Sequence, residues 1–414
     1  YSWTNSSGVV TNCPNYGGNG TYNVSDIHAS GRAPATANAW IINASGMWDA
    51  PGAWSSSEVP NNIGSFAWIT NNITAPRTNT IDTDVTLAQL EIGALNGLNP
   101  FAINSWGGST LTFNNDNNGA MLVSASGHIA DTVYAPIMLA DDLSILNTKQ
   151  LTIKGSIGEY GGVSRWGGGP RFVETGGAGR LPLEGGHTYT GGTFIDAGEL
   201  AVNGSLRSGV VVGAGGWLSG NATVSGMVEV SNGGILSPGS GGIGVMTITG
   251  ELVLLAGSTN VIDISAAART NDSIRGMRVV NYGGTLKIVN LQGTFAKGDS
   301  FRLFSAETYA GGFTSMNLPT LNLGLIWEWN PSIGTLSVSD KMSTTPTNLS
   351  FAVAAEGMFL SWPESHRGWM LQSNSIGIHL PTAWFDVAGS QGGTSFFIPY
   401  PQPDPMQFYR LRKP

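Results

Sequence analysis

The sequence predicts an all-β fold, a β-solenoid (β-helix) body followed by a small C-terminal β-sandwich. Glycine supplies 59 of 414 residues and charged residues only 11%, against about 7% and about 25% in ordinary globular domains. The hydrophobic fraction is 41%, so a core can form and the chain is not a disordered Gly/Ser tract. Between Thr188 and Leu254, short apolar runs alternate with glycine or asparagine turns, and no helix-period segment interrupts them.

That stretch sets out the coil pattern. Thr193-Phe-Ile195, Glu199-Leu-Ala-Val202, Gly209-Val-Val-Val212, Gly216-Trp-Leu-Ser219, Met227-Val-Glu-Val230 and Gly234-Ile-Leu-Ser237 read as strands of three to five residues. Turns at Ala197-Gly198, Asn203-Gly204, Ala214-Gly-Gly216, Ser219-Gly220, Asn232-Gly-Gly234 and Ser237-Pro-Gly239 close them. Every solenoid corner bends the backbone sharply, often into φ > 0, and stacked coils leave little room for a Cβ.

On these residues a family resemblance rests. Gly186-His-Thr-Tyr-Thr-Gly-Gly-Thr193 running on to Ala197-Gly198-Glu-Leu-Ala-Val-Asn-Gly204 is similar to the autotransporter-associated β-strand repeat. Gly215-Gly-Trp-Leu-Ser-Gly220, Leu236-Ser-Pro-Gly239, Asn281-Tyr-Gly-Gly-Thr-Leu286 and Phe301-Arg-Leu-Phe304 resemble its continuation, and Gly46-Met-Trp48 with Trp54 and Val59-Pro-Asn61 resembles its opening. The likeness spans roughly residues 46 to 340. It implies an exported solenoid over 46–342. His187 stands where the repeat has Asn, and one full Thr-Tyr-Thr-Gly-Gly-Thr unit occurs.

A second boundary falls near Ser343-Thr-Thr-Pro346. Beyond it, 349–353, 358–362, 369–372, 383–387, 395–398 and 407–411 read as six strands of a β-sandwich occupying 343–414. Leu360-Ser-Trp-Pro363, Gly368-Trp-Met-Leu-Gln372, Trp384 to Ser390 and Phe408-Tyr-Arg-Leu411 resemble the fibronectin type III-like C-terminal domain of exported proteins from Verrucomicrobia and related bacteria. Residues 1–45 match neither pattern and form an N-terminal extension, a candidate inter-subunit segment through Tyr1, Trp3, Cys13 and Tyr22.

Composition also excludes functions. The net charge is −8 and basic residues cluster only at Arg410, Arg412 and Lys413, so nucleic acid is not an expected partner. No apolar run reaches the roughly 18 residues of a membrane span. The chain opens at Tyr1-Ser-Trp-Thr without a start Met, which reads as a mature, secreted or cell-surface form whose leader has been removed. Cys13 is the single cysteine; it reads as an inert thiol or an intermolecular bridge.

No catalytic, cofactor or metal site is expected. Gly239-Ser-Gly-Gly-Ile-Gly244 spells a dinucleotide fingerprint but lacks the strand-to-helix context, and the related calcium nonapeptide would need an acid where Val245 stands. Asp82 and Asp84, two apart and so on one face of a strand, are the acid pair a β-helix polysaccharide enzyme would need, with Arg77 nearby; solvated turn carboxylates are the plainer reading. The five histidines show no metal spacing. Thirteen tryptophans leave Trp40, Trp48, Trp54 and Trp68 as candidate glycan-stacking rings, or as the cover of a solenoid end.

A solenoid has two terminal coils with unpaired strand edges, which soluble monomers block and polymers use. Low surface charge and a distinct N-terminal segment point first to a non-catalytic, self-assembling filament or sheath subunit, a head-to-tail homopolymer. The alternative is a monomeric surface adhesin that binds extracellular polysaccharide; a polysaccharide-degrading enzyme ranks third.

Overall fold

The computed structural model describes residues 2–4, 10–12, 38–124, 130–160, 173–322, 324–340, 345–404 and 406–413. The chain is all-β, and its body is a β-solenoid with three faces. On the first face, parallel strands stack from Asn38–Ala39 through Phe66–Ile69, Leu143–Asn147, Thr193–Ile195, Val228–Val230 and Glu251–Leu254 to Ser273–Tyr282 and Phe304–Gly311. The second face runs from Gly46–Met47 through Arg77–Ile81, Gly198–Val202 and Gly216–Gly220 to Thr285–Gln292 and Ser315–Asn317. Val85–Leu87, Leu111–Phe113, Ile137–Leu139 and Ile157–Glu159 begin the third face, which Gly186–His187, Ser205–Leu206, Thr223–Val224 and Val245–Ile248 carry on. From Phe66–Ile69 onward most strands pair with the strand three further along the chain, so a coil contributes one strand per face. The ten-residue strand Ser273–Tyr282 crosses a corner, pairing first with the third face and then with the first. Among the described residues the ladder begins at Asn38, within the segment expected to be an extension.

Period-two alternation decides what lies inside. Because a strand's side chains alternate between faces, in-register stacking turns every inward position into a column down the lumen. Ala67, Leu90, Leu122, Ile145, Thr175, Ile195, Val212 and Val230 form one such column. Another runs Leu181, Leu200, Leu218, Leu236, Asn260, Leu286. Asn260 interrupts five leucines, is buried, and neither of its amide atoms meets a hydrogen-bonding partner in the protein. Corners explain the glycines. Gly220 has φ 103° and a Cβ there would lie 2.1 Å from the Val202 carbonyl oxygen of the neighbouring coil, so any side chain would pry the coils apart.

His187 points into the third-face column, opposite Leu206. The Ile157 N–H donates to its Nδ1 at 3.1 Å, so the ring serves a backbone donor of the preceding coil. Burial holds it neutral, with its pKa lowered to about 4.

Among the described residues, both ends of the stack are plugged by aromatic rings. At the start, the Trp40 and Trp48 N–H groups extend the first and second faces by donating to the Trp68 and Thr80 carbonyls, each at 2.8 Å. The Pro51–Ala53 turn brings Trp54 between them; ring centroids lie 5.3 Å apart for Trp40 and Trp54 and 4.8 Å for Trp48 and Trp54. At the other end, Leu325–Asn330, Thr335–Asp340 and Ser300–Arg302 form an antiparallel sheet. It lays Trp327 against Phe295 at 4.7 Å and Trp329 against Tyr282 at 5.5 Å.

The C-terminal module has two three-stranded antiparallel sheets. Ser350–Ala354, Gly357–Ser361 and Ser395–Pro399 form one; Phe385–Asp386, Met370–Asn374 and Phe408–Arg412 form the other. Leu360, Trp362, Leu371 and Ile398 fill its separate core.

Two stability measurements follow from these columns. Asn260→Leu completes the leucine column and removes an unsatisfied buried amide, so it is expected to raise unfolding stability by about 1–2 kcal/mol, read as a higher midpoint in urea. For His187, the unfolded ring titrates near 6.5 and the folded ring near 4. The unfolded state therefore binds the proton first, and stability is lost as pH falls through that window. His187→Asn removes this penalty, so the variant should gain on the parent by about 3 kcal/mol between pH 7 and pH 4, and an unchanged difference across that range would refute the assignment.

Candidate functional site: a groove on the second face

The outward row of the second face is built by the same register as the core. Arg180, Glu199, Trp217 and Ile235 pair in sequence across four successive coils, and their inward neighbours Leu181, Leu200, Leu218 and Leu236 anchor them. Trp217 therefore stands out from a rigid sheet, with 39% of its surface exposed. Beside it the corner after Ile235–Pro238 does not turn tightly but extends as a flap over 239–244. Its root is fixed by mutual backbone hydrogen bonds between Gly220 and Gly239 at 2.7 and 3.0 Å. The Gly244 N–H donates to Asp272 Oδ1 at 2.6 Å and fixes the far side.

Sheet and flap enclose an open groove of about 560 Å³ whose lining includes Trp217, Ser219, Ser237, Asp263, Arg180 and Glu199. Glu199 Oε1 accepts from Ser219 Oγ at 2.5 Å and pairs with Arg180 Nε at 3.1 Å. Arg180 Nη2 reaches the flap, donating to Ser240 Oγ at 2.9 Å. Burial raises the Asp263 carboxyl above the usual carboxylate range, and burial raises Asp272 behind it to about 7, against the pull of its two backbone donors. An exposed indole on a rigid sheet, ringed by hydroxyls and carboxylates, can stack on a pyranose and bond its hydroxyls.

The sequence-predicted candidates are distributed otherwise. Tyr1, Cys13 and Tyr22 lie outside the described residues, and Trp3 falls in strand Ser2–Thr4, paired antiparallel with Val10–Asn12. Trp40, Trp48 and Trp54 lie at a solenoid end and are 1%, 0% and 1% exposed. Packed on one another, they present no face to a sugar, which corrects their candidacy as glycan-stacking rings. Trp68 points outward from the first face, beside Glu91 of the next coil, and keeps its platform.

The acid pair is not a pair on a strand. Asp82 and Asp84 occupy the corner after Arg77–Ile81. Asp84 Oδ1 accepts from the N–H and hydroxyl of Thr110 at 2.8 and 3.0 Å, fixing the next coil's corner, while Asp82 hydrogen-bonds the Asp49 carboxyl and raises its pKa. Arg77 is held by Asn43 Oδ1 at 3.0 and 3.1 Å. His366 Nδ1 is 3.0 Å from Ser365 Oγ, but its Nε2 lies 2.7 Å from the Thr345 carbonyl, where a hydrolytic triad would need a carboxylate. Among the described residues no cluster of three metal-ligating side chains occurs, and none of the helices is long and apolar enough to cross a membrane.

Trp217 was hidden in plain view. Gly216-Trp-Leu-Ser219 reads as one more coil strand, yet alternation with an inward Leu218 already sends the indole outward, and an outward Trp between Glu199 and Ile235 is the signal that finds the groove.

The chain is thus a β-solenoid with a recessed aromatic groove on one face and a separate antiparallel sandwich. No protein family model matches it. It is similar to an extracellular serine protease of Serratia marcescens, with 34% identity over 112 residues. The similarity takes in 27% of this chain and 10% of that protein, so the chain spans about a tenth of its relative's length.

Proposed function

We propose that this protein is a non-catalytic, extracellular glycan-binding β-solenoid that works as a surface or matrix adhesin. The observation that carries it is the groove around Trp217, an exposed indole held at fixed height by the leucine column beneath. The resemblance of 186–204 to the autotransporter-associated repeat and the extracellular character named for the Serratia relative support an exported location. Against hydrolysis stands the spacing of the groove's acids. Glu199 and Asp263 are separated by three strand steps of about 4.8 Å and four residues of about 3.3 Å, about 19 Å in all, whereas glycosidase carboxyls sit about 5 to 9.5 Å apart. Trp217→Ala should weaken retention on the recognised glycan about tenfold, roughly 1.4 kcal/mol, without changing the melting midpoint; unaltered retention would dismiss the groove as the site.

Polymerisation end to end has less support, because both terminal coils carry aromatic plugs. One surface favours self-association by another route. Ser350–Ala354 is an edge strand, and Phe351 and Val353 share the core side of their sheet with Leu360 and Met358 yet remain 71% and 70% exposed. Such an edge is a template for strand addition. Sedimentation of the full chain at rising concentration should show a dimer that Val353→Lys abolishes; a monomer throughout removes this second reading.

A further inference from the structure

We propose that the groove selects uncharged glycan chains and discriminates against uronate or sulfate-bearing ones, through internal neutralisation of the one cation among its described lining residues. This rests on the glycan-binding reading above and specifies its ligand class. Among the described residues that line the groove, Arg180 is the only basic one. It is engaged twice: Nε pairs with Glu199 at 3.1 Å and Nη2 donates to Ser240 at 2.9 Å. Ser219 adds a hydrogen bond to the same Glu199 oxygen, locking the carboxylate in place as the counter-charge. A ligand carboxylate or sulfate approaching Arg180 would meet a charge already balanced by Glu199 and would bring a second anion up against that carboxylate.

Asp263, at the far end of the lining, carries the remaining charge. Its carboxyl accepts hydroxyl hydrogen bonds from a neutral sugar and repels an acidic one. The groove offers an apolar plate in Trp217, hydroxyls in Ser219 and Ser237, and a surplus of one negative charge. That inventory complements a neutral pyranose chain and opposes a polyanion, since a like charge brought against a fixed charge costs up to several kcal/mol.

The test uses the full chain and calorimetric titration with neutral gluco-, galacto- and manno-hexaoses and with hexagalacturonate. At least one neutral hexaose should bind, hexagalacturonate should bind at least about tenfold more weakly, and Trp217→Ala should lose the neutral ligand while Trp217→Phe retains it. Glu199→Gln keeps the Ser219 contact but frees the Arg180 charge, so it should narrow the neutral-to-acidic ratio about tenfold or invert it. Hexagalacturonate binding to the parent as tightly as the neutral ligand, and lost in Trp217→Ala, would overturn the selectivity while leaving the groove a glycan site. Failure of every hexaose to bind would overturn the glycan-binding reading itself.

Discussion

Everything in this fold depends on the in-register parallel stacking of one coil on the next. Backbone hydrogen bonds between coils fix the spacing near 4.8 Å, and that spacing forces like positions into columns. Inside, a column favours apolar residues along its length, because a polar atom there has no water to meet, and the exceptions, Thr175, His187 and Asn260, are buried polar groups. At the corners it must be glycine wherever a carbonyl of the neighbouring coil leaves no room, as at Gly220 below the Val202 oxygen. Outside, the same register turns isolated residues into ordered rows, and the groove is a by-product of that order.

The fold was legible in the sequence because its two strongest signals are local. Alternation within three to five residues and a turn glycine after each strand are visible without knowing which coil pairs with which. The two sheets of the C-terminal module follow the six apolar runs closely. Less was legible about the site. Arg180, Glu199, Trp217 and Ser240 are joined only by stacking, and uneven coil lengths hide the register until the ladder is seen. Arg180 and Ser240 are 60 residues apart. Asp82 and Asp84 misled in the opposite way, since spacing by two implies a shared strand face only when a strand is present, and they sit in a corner. For the tryptophans near the N-terminus, sequence alone does not weigh an inward against an outward ring, because that depends on how the first coil closes on the second.

Electrostatics in so sparsely charged a protein are decided by single residues. With charged side chains at 11%, a buried group finds few counter-charges, so desolvation dominates: it lowers His187 and raises Asp272, and burial takes Asp131 up to about 6 despite its bond from the Phe101 N–H. These shifts oppose one another as pH changes. Protonation of the acids favours the fold where protonation of the histidine disfavours it.

The aromatic plugs have a consequence for length. An open stack can grow without limit, but one stoppered at both ends has a height written into its gene. Among the described residues the first face holds twelve strands, from Asn38–Ala39 to Phe304–Gly311, a rise of about 50 Å at the strand spacing of a sheet. Adding or deleting a coil would move one end by a single increment and leave the packing of the distant coils untouched. The body is therefore a ruler as much as a surface.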